Sequence, residues 1–181
     1  MHQKYPKKFS LMNYLTAALG IIVVLGLVYA LANYWPTHAS ESQPSHTSDV
    51  AKNENLEAGE AYMARIAETP GMESLGGGIY YKVLAEGNGP KPTQESRVRV
   101  HYEGRLIDGT VFDSSYQRNE PTTFPVNGVI AGWQIALKSM PVGSTWEVYI
   151  PQYYAYGAKG SGRNIPPYSA LIFKVELLGI E

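Results

Sequence analysis

The residue types that usually carry covalent or metal chemistry are scarce in this sequence. Cysteine is absent, which removes thiolate nucleophiles, thiolate metal sites and disulfide scaffolds together. Of the four histidines, His2, His38 and His46 precede the region patterned like a folded domain, and His101 stands alone within it. The spacing of a metal centre is therefore missing. Gly157, Gly160 and Gly162 form a glycine group, but no strand leads into it and no helix opens from it, so it reads as a flexible flap and not as a phosphate loop. Lys plus Arg total 15 against 16 for Asp plus Glu, which leaves no net positive field for a polyphosphate backbone. What remains is aromatic and apolar. Tyr102, Trp133 and Phe173 sit at positions whose periodicity turns them toward one interior, either as ordinary core or as the wall of a cleft. Asp113 either caps a turn through Ser114 and Ser115 or sets a half-buried carboxylate beside that aromatic wall. Tyr156, by itself, reads as a packed turn residue.

The elements that must position these residues are written in the alternation. Val98, Val100 and Tyr102 fall on one face while Arg97, Arg99, His101 and Glu103 fall on the other, the signature of a half-buried strand. Trp146, Val148 and Ile150 repeat it, as do Leu171, Phe173, Val175 and Leu177. Ile79 to Leu84 predicts a fourth strand, with shorter extended pieces at Val111 to Ser114 and Thr123 to Val126. Helical spacing in this region occurs at Ile130, Trp133, Leu137 and Met140, with Gly143 ending the segment. One short helix facing one antiparallel sheet is an α+β arrangement, and 44% hydrophobic against 17% charged residues supports its core.

The chain before this domain has a different character. Residues 1–13 form a basic segment with Lys4, Lys7 and Lys8, and no charged residue occurs between Lys8 and Glu41. Residues 14–35, Tyr14 to Trp35, are dominated by aliphatic and aromatic side chains. As a helix this stretch reaches roughly 33 Å at 1.5 Å per residue, enough for a hydrocarbon core of about 30 Å. The lysines before the span, with Glu41, Asp49 and Glu54 after it, predict a cytoplasmic amino terminus by the positive-inside rule and a domain outside the cytoplasm. Ala30-Leu31-Ala32 keeps open a cleavable signal, with secretion after cleavage near Ala32. Residues 36–55 are polar and Pro-containing and read as a flexible linker. Residues 56–78 read as a short helix of a turn or two and a lead-in, stopped by Pro70 and Gly71 and turned by Gly76 to Gly78. The folded domain is then 79–181.

The run Val98 to Ser115, followed by Val129-Ile130-Ala131-Gly132-Trp133, Ala155-Tyr156-Gly157-Ala158, Ile165-Pro166-Pro167 and Leu171 to Leu178, resembles FKBP-type peptidyl-prolyl cis-trans isomerases. Thr123-Phe124-Pro125-Val126 and Met140 to Glu147 are most similar to the macrophage infectivity potentiator (Mip) branch. The resemblance spans about residues 59–181. It implies a five- or six-stranded antiparallel sheet wrapped around the short helix, with a proline pocket between them. The floor is then Trp133, and the walls are Tyr102, Phe112, Phe124, Val129, Ile130, Ile165 and Phe173. Asp113 and Tyr156 are its polar rim, the Ile130 N–H and the Tyr156 hydroxyl holding carbonyls of the bound chain. The implied activity is rotation about prolyl bonds of exported polypeptides, with no cofactor and no metal. Macrolide inhibitors are implied as ligands, and a monomer on its membrane anchor is expected. Thr122 and Asn164 stand where some members have apolar pocket residues, and Ser161 where some have histidine. These departures bear on peptide preference. Two other readings of the same cleft are a non-catalytic holder of proline-containing segments and, from the 14 tyrosines, a carbohydrate binder.

Overall fold

The computed structural model describes residues 45–181. The basic segment 1–13, the expected span 14–35 and the first part of the expected linker lie outside the described residues. Among those described, no helix is long and apolar enough to cross a membrane.

Alternation becomes a seven-stranded sheet in which every pairing is antiparallel. Its strands are β1 (Glu73–Gly76), β2 (Ile79–Ala85), β3 (Arg97–Leu106), β4 (Val111–Ser114), β5 (Thr122–Pro125), β6 (Thr145–Ile150) and β7 (Leu171–Ile180). The order across the sheet is β1-β2-β6-β7-β3-β4, and β5 also pairs with β3. β3 and β7 form the spine, paired from Val98 opposite Ile180 to Leu106 opposite Leu171. The strand count exceeds the expected five or six because β1 folds back on β2 through the glycine turn at 76–78. Gly76, Gly77 and Gly78 all adopt positive φ there, a conformation that costs glycine little.

β4 and β5 divide the remaining edge of β3 between them. β5 pairs Phe124 with Val98 and Thr122 with Val100, whereas β4 pairs Asp113 with Gly104. Ser115 bridges the break. Its N–H donates to the Tyr102 carbonyl at 2.9 Å, and its hydroxyl accepts from the Tyr102 N–H at 2.7 Å. A side chain thus satisfies backbone groups that the sheet ladder leaves unpaired.

The inward residues of β3, β6 and β7 form the core with helix α2 (Ala131–Ser139), which contributes Trp133, Ala136 and Leu137. The helix lies close to β6, because a Cβ added at Gly132 would sit 2.5 Å from Ile150 Cγ2. The expected helical period thus appears as α2, closed by the Met140 N–H donating to the Ala136 and Leu137 carbonyls.

The other face of the sheet carries helix α1 (Ser45–Ala67). Met63 and Ile66 pack with Tyr149, Ala170 and Ile172 in a second apolar cluster, and the Asn55 amide donates to the Pro167 carbonyl at 3.2 Å. This helix begins in the stretch expected to be linker and is far longer than a turn or two. Residues 45–55 lack the apolar stripe that signals a helix, but no proline or glycine interrupts them. They extend a helix whose later turns are anchored by packing, with Asp49 and Lys52 paired at 3.3 Å along it. Pro70 and Gly71 follow its end, as their types require.

Leu137 is 1% exposed at the contact of α2 with the sheet. Leu137→Ala is expected to lower unfolding stability by about 2–5 kcal/mol in urea titration, through lost burial and a residual cavity. A loss below ~1 kcal/mol would mean that the helix is not held by this contact.

Candidate active site

The C-terminal half of β3, the start of α2 and the start of β7 leave a cavity of about 300 Å³ between sheet and helix, open on one side. Its floor is the indole of Trp133, 5% exposed. Three rings stand nearly perpendicular to that indole: Tyr102 at 5.4 Å and 87°, Phe124 at 5.8 Å and 86°, and Phe173 at 5.3 Å and 84° between centroids and planes. Phe112 continues the series, 5.6 Å from Phe173 at 84°. Edge-to-face contacts of this kind lock the rings beyond what area burial alone provides. The Trp133 Nε1 is buried without a hydrogen-bond partner among the described residues.

Backbone permits this wall to close. A Cβ at Gly104 would stand 2.5 Å from the Phe112 ring and 2.8 Å from the Phe173 ring, so only glycine at this point of β3 lets both rings lie against the strand. Val129 and Ile130 complete the apolar lining with Gly128. Ile130 is the N-cap of α2, where backbone N–H groups lack intrahelical partners. The Gln134 side chain holds the approach to this turn by donating to the Val129 carbonyl at 2.8 Å.

The polar rim is Asp113 and Tyr156. The Tyr102 hydroxyl and the Arg118 guanidinium both donate to the Asp113 carboxylate, and Arg118 also donates to the Tyr102 oxygen at 3.1 Å. Partial burial pushes the Asp113 carboxyl up, but the hydrogen bonds from Tyr102, Arg118 and the Ser114 backbone, with the charge of Arg118, outweigh it and hold the group below the ordinary carboxylate range. Burial, then the Asp113 charge, pushes the Tyr156 phenol up, so its hydroxyl remains a donor at neutral pH.

The structure thus gathers Tyr102, Phe112, Asp113, Phe124, Val129, Ile130, Trp133, Tyr156 and Phe173 around one space. Ile165 does not line it. That side chain is 7% exposed, packs in the core and lines a neighbouring cavity of about 280 Å³, which shares Phe112, Asp113 and Tyr156 with the first. Sequence reasoning missed Arg118, Gly104 and Gly128. Arg118 carried a signal, being the sole basic residue between Arg105 and Lys138, five positions after a carboxylate in an aromatic strand. The two glycines carried none, since close approach of rings to backbone is invisible before the fold is known.

The site is an open aromatic slot between an antiparallel sheet and a short helix, with a tethered carboxylate at its lip. The profile of FKBP-type peptidyl-prolyl cis-trans isomerases matches residues 89–178. The chain is 45% identical over 168 residues to the FKBP-type 22 kDa peptidyl-prolyl cis-trans isomerase of Escherichia coli, covering 87% of this chain and 82% of that protein. It is 44% identical to the outer membrane protein MIP of Legionella longbeachae over 71% of this chain, and spans only 55% of that longer protein. A crystal structure of a peptidyl-prolyl cis-trans isomerase from Pseudomonas syringae superimposes with a TM-score of 0.68 at 41% identity, covering 72% of this chain and 96% of that one. The chain belongs to the FKBP-type peptidyl-prolyl cis-trans isomerases.

Because its carboxyl is held low, Asp113 contributes stability that is complete above the unfolded-state pKa and is lost as pH falls through the lower folded-state value. In Arg118→Ala the Asp113 pKa is expected to rise, moving this acid limb to higher pH. Carboxyl carbon NMR titration checks it, and an unchanged Asp113 curve would show that Arg118 does not govern the carboxylate.

Proposed function

We propose that the Trp133 cavity rotates X–Pro bonds of exported polypeptides by preferring the twisted amide to the planar one. The barrier is about 18–20 kcal/mol because resonance is lost at the perpendicular geometry. A planar amide is strongly dipolar and well solvated, whereas the twisted form has a more ketone-like carbonyl and a pyramidal nitrogen, so it gives up less on leaving water. An apolar slot therefore discriminates between the two states, which is what acceleration requires. No bond is made or broken. A barrier lowered by about 5 kcal/mol corresponds to nearly four decades in rate.

The single observation that carries this reading is the open cavity floored by Trp133 and walled by rings perpendicular to it. In it the prolyl ring rests on the indole, and the Asp113 carboxylate lies beside the prolyl group. The Ile130 N–H and the Tyr156 hydroxyl take carbonyls of the flanking chain, fixing one side of the bond while the other turns. The same apolar lining supports a macrolide inhibitor as a further ligand of this slot. Isomerisation of Leu-Pro or Phe-Pro peptides by the full chain in detergent tests the proposal. Acceleration is expected, and a rate equal to the uncatalysed one overturns it; tight peptide binding without acceleration would make the domain a holder of proline-containing segments. Tyr156→Phe is expected to lower kcat/KM by up to about tenfold, the worth of one hydrogen bond of roughly 0.5–1.5 kcal/mol, with the fold unchanged by circular dichroism. Equality with the parent would remove Tyr156 from the site.

The place of action proposed is outside the cytoplasm, with the domain tethered as a monomer to the inner membrane through residues 14–35. The uncharged run from Tyr14 to Trp35 behind Lys4, Lys7 and Lys8 supports it, and the outer-membrane naming of the Legionella relative is consistent with export. Intact mass of the protein recovered from membranes is expected to include Met1. A mature start near Asn33 would replace the anchor with a cleaved signal.

A further inference from the structure

The second cavity adjoins the first across Phe112, Asp113 and Tyr156 and is roofed by the flap that follows Tyr156. That flap has a defined shape. Ser161 and Ile165 form an isolated bridge, with N–H to carbonyl distances of 2.8 and 3.1 Å in the two directions. Gly160 turns at φ 62°, where a Cβ would lie 2.2 Å from the Ile165 carbonyl. The bridge closes a tight loop whose tip residues, Gly162, Arg163 and Asn164, line the cavity.

Its charge is one-sided. Between Glu147 and Glu176 the sequence holds Lys159, Arg163 and Lys174 and no acidic residue. Arg163 is exposed and forms no ion pair or side-chain hydrogen bond among the described residues. Asp113 lines the same cavity yet is not its partner, because that carboxylate is already engaged by Arg118 and Tyr102. The cavity thus contains one ion-paired carboxylate, the Asn164 amide and one cation that has no counter-charge among the described residues. Because the two cavities join across Phe112, Asp113 and Tyr156, a residue flanking a proline in the Trp133 slot can extend toward this cation.

We infer that Arg163, with Asn164 beside it, forms a subsite for an acidic side chain adjacent to the substrate proline, so that the enzyme favours Glu-Pro or Pro-Glu sequences over their Gln counterparts. Asn164 replaces apolar lining with an amide that can donate to a carboxylate oxygen. Arg163 supplies a guanidinium able to engage both oxygens at once. Since Arg163 is solvent-exposed, the discrimination is modest and falls with salt.

This inference rests on the isomerase reading, and the experiment separates the two. Exchange NMR on short peptides with Glu, Gln or Lys placed before or after a single proline gives catalysed rates for the full chain in detergent. The Glu-to-Gln ratio of kcat/KM, in at least one of the two positions, is expected to be about two- to fivefold at low salt. It should approach one in Arg163→Ala and in molar salt, and survive in Arg163→Lys. A ratio of one in the parent, or one that Arg163→Ala leaves intact, overturns the subsite while acceleration of the Gln peptides keeps the isomerase. No acceleration on any peptide overturns both.

Discussion

The perpendicular packing of three aromatic rings against the Trp133 indole is the constraint on which the rest depends. A slot that discriminates by excluding water must be apolar, but it must also stay open, and an open apolar space tends to be filled by collapse of its own walls. Tyr102, Phe124 and Phe173 resist that collapse because each is fixed at its own strand and stands nearly perpendicular to the indole, at centroid distances of 5.3 to 5.8 Å. Their positions follow from register. Tyr102 lies opposite Val175, and Gly104 lies opposite Phe173, so the ring from β7 falls across the bare backbone of β3. A side chain at 104 would push Phe112 and Phe173 into the cavity.

The lip of the slot is held by a different kind of force. The edge of β3 is shared by two short strands, and the break between them leaves Tyr102 without a strand partner on that side. Ser115 repairs the hydrogen bonding, and the loop beyond it delivers Arg118 to the Asp113 carboxylate and the Tyr102 hydroxyl. A carboxylate at the mouth of an apolar cavity would otherwise drift up in pKa and draw water inward. Tethered to a guanidinium and a phenol, it keeps its charge while its field is largely spent locally. The wall ring Tyr102 is fixed by the same contacts, so polar rim and aromatic wall are one assembly.

Most of the sheet was legible because the period-two alternation in β3, β6 and β7 is clean, and the short helix showed in the spacing of Ile130, Trp133 and Leu137. The site residues were legible as ordered motifs, and the fold brings all but Ile165 to the main cavity. Ile165 is displaced because the Ser161–Ile165 bridge turns its side chain into the core, a consequence of loop pairing that no local pattern encodes. β1 escaped notice because its four residues end in glycine and carry a single apolar side chain, Leu75. The long helix α1 escaped for a related reason. Residues 45–55 have the composition of a solvated linker, and only the packing of Met63 and Ile66 on Tyr149 and Ile172 makes the extension worthwhile.

That helix also bears on the slot, since both are built on alternate residues of the same strands. Tyr102, Gly104 and Phe173 face the cavity; Arg105 and Ile172, their immediate neighbours in sequence, face the side on which α1 packs. On that side Arg105 pairs with Glu147, which also accepts from the Tyr149 hydroxyl at 2.6 Å, and Tyr149 packs against Tyr62 of α1 at 6.4 Å between ring centroids. The register of β3 against β7 and of β6 against β7 is therefore specified from both faces at once. A one-residue slip would bury Arg105 and Glu147 beneath Trp133 and send Phe173 toward α1, an exchange that neither face tolerates. The aromatic slot can remain open without loss of order because the strands forming its wall are locked from behind.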